Sequence, residues 1–158
     1  MTQPDQLAGY PKKQLAAGVI LLNDHQDILL VKPTYRDGWL LPGGVVESFE
    51  SPRDAALREI REELGLTITI ERLLCIDYQK NEAASRENIQ FVFYGGVLSS
   101  QQQRAIRLPQ SELAAHRFAP LSEAITLFNP HSARRVPQAI QALTMNTTIY
   151  LENGIPCL

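Results

Sequence analysis

Three glutamates stand close together at Glu59, Glu62 and Glu63, preceded by Arg58 and followed by Leu64-Gly65-Leu66. Upstream, Gly44 is followed after five residues by Glu50, and Glu50 after seven more by Arg58. Carboxylates at this density repel one another. A pair about 5 to 6 Å apart costs roughly 3 kcal/mol at an effective dielectric of 20, and under about 1 kcal/mol in water. The cluster is therefore either a solvated acidic face or a place where positive charge belongs. Carboxylates with a backbone carbonyl and open water positions are the ligand set that magnesium and manganese take. The preceding Pro42-Gly43-Gly44 turn favours the metal reading, because glycines let backbone groups approach a ligand with no side chain in the way.

A helix must carry these residues. Ser51 suits the N-cap, Pro52 the first helical position, and Asp54 stands three residues after the cap. Ala55 through Leu64 are mostly strong helix formers, and Gly65 can turn left-handed and stop the helix. At about 100° per residue, Ala56, Leu57, Ile60 and Leu64 share one arc, the expected buried face. Glu59, Glu62 and Glu63 fall in an adjoining arc, beside the buried edge.

Taken as one pattern, Gly44 through Leu66 resembles the Nudix box at every defining position, with Trp39-Leu40-Leu41-Pro42-Gly43-Gly44 as its lead-in and Val45-Val46-Glu47 following. The resemblance implies a Nudix fold, an α/β architecture in which a mixed β-sheet is sandwiched between α-helices. It implies Mg2+-dependent hydrolysis, with Mn2+ as an alternative ion, of a pyrophosphate bond in a nucleoside diphosphate linked to another moiety. By that resemblance Glu59 and Glu63 are metal ligands, Glu62 is a third ligand or the base, and the Gly44 carbonyl is a backbone ligand. Glu59 and Glu62 are both candidates for the group that deprotonates the attacking water. Glu50 and Arg58 are expected to pair and so pin the loop to the helix. Some relatives add a distant glutamate, and Glu112 occupies a comparable place; Glu47 is a weaker candidate.

Substrate recognition is less legible. Tyr35, Trp39 and Tyr78 have rings that could stack on a base, and Arg36 and Lys32 lie where cations could meet phosphates. Arg134-Arg135 reads as a solvated pair at a helix start. His25, His116 and His131 show no metal spacing and receive no catalytic role. Two alternatives stay open: a nucleotide-sensing Nudix module without turnover, and a diphosphate isomerase, whose additional cysteine and glutamate positions find no match here.

The chain of 158 residues, 44% hydrophobic and 20% charged, is long enough for one domain with a proper core. Residues 1–14 read as a polar N-terminal extension and 15–158 as a single domain. Its net charge of −2 argues against an extended nucleic-acid-binding surface but not against a nucleotide in a pocket. The start is no secretory signal and no segment is long enough for a membrane span, so a cytoplasmic location is the default. Two cysteines make no disulfide framework, and Cys75 reads as a buried thiol. The expected partner is a small nucleotide derivative, and dimerisation among relatives leaves a homodimer open.

Strands are expected at Leu15–Leu22, at Asp27–Lys32 as its hairpin partner across the Asn23–Gln26 turn, at Trp39–Leu41, at Thr67–Tyr78 and at Asn88–Leu98. Lys80–Arg86 reads as a polar loop and Gln101-Gln102-Gln103 as a flexible connection. A shorter strand near His116–Ala119 should lead to a helix at Ser122–Phe128. A second helix spans Ser132–Met145, with Pro137 in its first turn or bending it, and Thr147–Leu151 is a terminal strand.

Overall fold

The structure is a computed structural model that describes residues 9–158; the first part of the expected polar extension lies outside the described residues. Strand β1 (Gln14–Leu22) organises the rest, because alternate side chains of a strand point to opposite faces. Ala17, Val19 and Leu21 enter one core, with Ala55, Ala56, Ile60 and Leu64 of helix α1 (Pro52–Leu64). Ile20 and Leu22 enter a second core on the opposite face, with Ala124 of α3 (Leu121–Leu127) and Val136 and Ala139 of α4 (Pro130–Thr144). A mixed sheet thus lies between helices, as the resemblance implies.

Among the described residues the sheet has eight strands. β2 (Ile28–Pro33) meets β1 only at the Leu22–Ile28 pair and then leaves it, running antiparallel along β6 (Leu113–Ala119). Its vacated place beside β1 is taken by the short strand β3 (Gly43–Val45). On its other side β1 pairs in parallel with β5 (Arg86–Val97), which pairs with β4 (Arg72–Asn81), and β4 with β7 (Ile149–Glu152). β8 (Ile155–Pro156) closes a terminal hairpin that the sequence did not announce.

Several expected boundaries move. Trp39–Leu41 is no strand: Leu40 only bridges Val31 and Trp39 only bridges Phe128, because the chain is crossing there from β2 toward β1. The alternation at Thr67–Ile70 is real, since Ile68 and Ile70 pack on the first core, but β4 begins only at Arg72. The expected loop at 80–86 shrinks to a turn at 82–85 between β4 and β5. Gln101–Gln103 lie in helix α2 (Ser100–Ala105), set by a capping box in which Ser99 Oγ accepts from the Gln102 N–H and Gln102 Oε1 accepts from the Ser99 N–H. Helix α4 starts at Pro130 behind an Asn129 cap, so Pro137 falls in its interior, where the missing N–H forfeits one helical bond.

Arg135 is not solvated. It is 7% exposed and its Nε donates to Asp77 Oδ2 at 2.7 Å, while the Gly154 N–H donates to Asp77 Oδ1 at 2.9 Å. The pair ties β4, α4 and the terminal hairpin at one point. The α4 stripe that buries Val136 and Ala139 brings Arg135 inward with them. Cys75 is buried, and burial pushes its thiol up to about 12. Among the described residues no helix is long and apolar enough to cross a membrane. Removing one partner of a buried ion pair leaves an uncompensated charge. Arg135→Met should therefore lower the unfolding free energy by about 3 to 5 kcal/mol in urea titration; a loss under about 1 kcal/mol would show that Asp77 finds compensation elsewhere.

Candidate active site

Helix α1 forms as its sequence dictates. Ser51 Oγ accepts from the Asp54 N–H at 3.0 Å, and Gly65, at φ +68°, ends the helix with its N–H on the Arg61 carbonyl. The buried face is rotated from the expected one. Ala55 is buried and Leu57 only half-buried. Around the helix, Glu59 and Glu63 fall between Ala55 and Ala56. Two carboxylates therefore lie within the packed stripe rather than beside it, while Glu62 stays exposed.

Glycines of β3 make this arrangement possible. Gly43 sits at φ +146°, and a Cβ there would come within 2.1 Å of the Ala17 carbonyl. A Cβ at Gly44 would come within 2.2 Å of Glu59 Oε1, so the carboxylate lies directly on the bare backbone. The Gly43 N–H donates to Glu63 Oε2 at 2.8 Å.

Arg58 organises the remaining acids. Its Nε and one Nη donate to the two oxygens of Glu50 at 2.8 and 3.1 Å. The other Nη donates to Glu59 Oε1 at 2.8 Å and Glu62 Oε2 at 3.1 Å, and a further bond reaches the Val45 carbonyl at 3.0 Å. Glu50 in turn accepts from the Glu47 N–H. One guanidinium thus joins the loop before the helix, the strand β3 and two of the three clustered glutamates. Arg58 holds the Glu50 carboxyl below its ordinary pKa, and Glu50 does most to hold Arg58 above its own.

The two carboxylates in the stripe are perturbed the other way. Burial is the chief cause that raises the Glu59 pKa, opposed by Arg58. Glu63 is pushed up from 4.5 to about 8 by burial, with the Gly43 N–H opposing and the charges of Glu59, Glu112 and Glu62 adding. Exposed Glu112 thus lies within electrostatic range of both.

A cleft of about 440 Å³ opens where β2 diverges from β1. Glu63, Gly43 and Gly44 line one edge, and Tyr35 and Arg36 stand at its mouth. Gln79, Asn88, Gln90, His131 and Arg135 form its far part. Trp39 does not line the cleft; it packs against the second core beneath Arg117. Nor do Glu59, Glu62 and Glu112. Tyr78 donates its hydroxyl to Glu87 on the opposite face. The amides and His131 carried no spacing that a sequence could reveal; only the register of β4 and β5 brings them together.

Among the described residues no three acidic, histidine or cysteine side chains converge into a ready-made metal site. Arg58 lies between Glu59 and Glu62, and Glu63 faces Gly43. The donors nonetheless fit a hard divalent cation by kind and charge. All are oxygens, Glu63 has no cationic partner among the described residues, and the bare Gly44 backbone lies against Glu59.

Fold, glycine strand and glutamate helix together match the architecture of a Nudix domain. The chain belongs to the NUDIX domain family, whose model matches residues 12–139; hydrolases of that family generally use divalent metal ions. A putative 8-oxo-dGTP diphosphatase of Bacillus subtilis (strain 168) is 39% identical over 85 residues, 54% of this chain and 54% of the relative. A human diphosphoinositol polyphosphate phosphohydrolase is 36% identical over 89 residues, 53% of this chain and 49% of the relative. The chain thus spans about half the length of these curated relatives. A solved UDP-X diphosphatase superposes with a TM-score of 0.71 at 24% identity, covering 93% of this chain and 70% of that one, a likeness of fold.

Two outcomes are expected. Because the folded-state pKa of Glu63 lies above 4.5, the folded chain binds this proton more tightly than the unfolded one. Its contribution is intact below about pH 4.5 and is lost as pH rises toward 8. In chelator, Glu63→Gln should exceed wild type by about 1 to 3 kcal/mol at pH 8 and converge with it near pH 4.5 in urea titrations. A wild type equally stable at pH 8 would show that the carboxylate is already compensated. Arg58→Lys, which cannot span the same acceptors, should lower the melting temperature and speed amide exchange across residues 46–50; unchanged exchange would refute the clamp.

Proposed function

We propose that this chain is a divalent-cation-dependent pyrophosphohydrolase that cleaves the phosphoanhydride of a nucleoside diphosphate joined to another group. Magnesium is the proposed working ion and manganese its substitute. The observation that carries this reading is the Glu63 carboxyl at the edge of a cleft, held on the Gly43 N–H next to the bare backbone of Gly44 and with no cationic partner among the described residues. Glu59, Glu63 and the Gly44 carbonyl would hold the cation, with Glu62 as a further oxygen donor and Glu112 as an outlying one. A bound divalent ion neutralises phosphate oxygens and eases deprotonation of a water.

The residues of the chain supply position and proton transfer. Arg58 and Glu50 fix the helix against β3, so that Glu63 is held at the cleft edge with Glu59 and Glu62 behind it. Of the two candidate bases, Glu59 and Glu62, the proposed one is Glu62, which would accept the proton of the attacking water; its exposure and its single bond to Arg58 support this reading. That water's oxygen bonds to phosphorus as the bridging P–O bond breaks, and the phosphate group leaves with the bridging oxygen. Arg36, exposed in the cleft lining beside the Tyr35 ring, would meet phosphate oxygens.

Similarity does not choose the substrate, since the relatives are named for a nucleotide, an inositol derivative and a UDP derivative. In a screen of nucleotide derivatives, activity should vanish with chelator and return with magnesium or manganese. Glu62→Gln should lower turnover at least about 100-fold with only a small loss of cation affinity, whereas Glu59→Gln and Glu63→Gln should lower both strongly. Undiminished magnesium-dependent turnover in Glu62→Gln and Glu63→Gln would defeat the assignment.

A further inference from the structure

The far part of the cleft differs in chemistry from its glutamate edge. Gln79 of β4 stands opposite Asn88 of β5, and Gln90 lies two residues further on the same face. His131 and Ser132, in the first turn of α4, also line this part. Gln79 is only 8% exposed, yet its side-chain Nε2 is buried without a hydrogen-bond partner among the described residues. The Nδ1 of His131 is buried in the same condition. Buried side-chain polar atoms are satisfied in the large majority of cases, so two exceptions in one cleft call for an explanation.

The charge balance narrows what could satisfy them. Arg135, the cation of this far part, is committed to Asp77. The other cation that lines the cleft, Arg36, is at the mouth. A further cluster of phosphates would find no counter-charge beside the amides. Gln90 also stands two strands across from Gly43, through β1, and two residues along. At strand spacings of about 4.8 Å and rises of about 3.3 Å, that is roughly 10 Å across and 7 Å along. The amides are therefore remote from the glutamates by about the reach of a nucleoside.

We infer that Gln79, seconded by His131, reads the uncharged group attached to the diphosphate, its side-chain amide, turned into the cleft, hydrogen-bonding a carbonyl or hydroxyl of that group. The far part of the cleft thereby selects nucleosides and nucleotide sugars against polyphosphorylated rings. This rests on the cleft being the substrate site proposed above. Gln79 has no part in cation binding, so it acts on affinity and selectivity.

The test uses the magnesium-loaded full chain with Gln79→Leu and the near-isosteric Gln79→Met, both checked for an intact fold by thermal melting. Kinetics on GTP, UTP, ADP-ribose, UDP-glucose and a diphosphoinositol pentakisphosphate separate KM from kcat. Wild type should process the inositol compound at least about 100-fold less efficiently than its best nucleotide. Either variant should raise KM for that nucleotide about tenfold or more, with a smaller change in kcat, as expected where a site loses a hydrogen bond to its substrate. A penalty on GTP, UTP and UDP-glucose that spares ADP-ribose, whose adenine has no carbonyl, identifies a base carbonyl; one common to all four identifies a hydroxyl of the nucleoside ribose, and one confined to ADP-ribose and UDP-glucose a hydroxyl of the attached sugar; each upholds the inference. An unchanged KM throughout in both variants, or a preference for the inositol compound, overturns it. If wild type cleaved nothing in the panel, the hydrolase reading would fall instead. Calorimetry with a methylene-bridged GTP analogue would then judge Gln79 alone: weaker binding by the variants upholds its role, and equal binding refutes it.

Discussion

Two carboxylates in the packed stripe of one helix are the constraint from which the rest of this molecule follows. Desolvation disfavours their charge, and neither can leave without unpacking Ala55, Ala56 or Ile60 around them. Side-chain-free backbone at Gly43 and Gly44 gives them room. Arg58 offsets part of the charge of Glu59 but makes no contact with Glu63. The desolvated Glu63 carboxyl thus lies at the cleft edge beside the bare backbone of Gly43 and Gly44, where the proposed cation would sit.

The cleft itself is a result of sheet geometry. β2 abandons β1 after a single pair, and a three-residue strand of almost bare backbone fills only part of the gap. What would have been a closed core face becomes a floor of amides between β1 and α4. Asp77 and Arg135 neutralise one another beneath it, so the floor carries donors and acceptors without net charge. The molecule therefore separates charge chemistry at one edge from neutral hydrogen bonding at the other.

The sequence disclosed local features far better than distant ones. Ser51, Pro52 and Gly65 bound helix α1 as their own chemistry requires, and the Glu50–Arg58 pair forms as spacing suggests. The rotation of the buried face was hidden, because Leu57 outranks Ala55 in hydrophobicity while tertiary packing selects Ala55. Gln101–Gln103 looked like a linker, since the capping role of Ser99 is visible only once its reciprocal bond with Gln102 is formed. The amide floor was illegible for a deeper reason. Gln79, Asn88, Gln90 and His131 become neighbours through strand register and helix docking, and nothing in their local sequence encodes that meeting.

The central parallel pairing has a consequence for how the chain reaches this state. Gln14 lies beside Asn88 and Gly18 beside Val92, so β1 waits for a strand that emerges much later in the chain. Loop closure of that length is entropically slow, and topologies dominated by such distant pairings fold slowly. Helix α1, held by its own caps, can form early, but β5, β4 and α4 must all arrive before any floor exists. During biosynthesis the acidic segment therefore emerges long before the strands and helix that complete the cavity it borders.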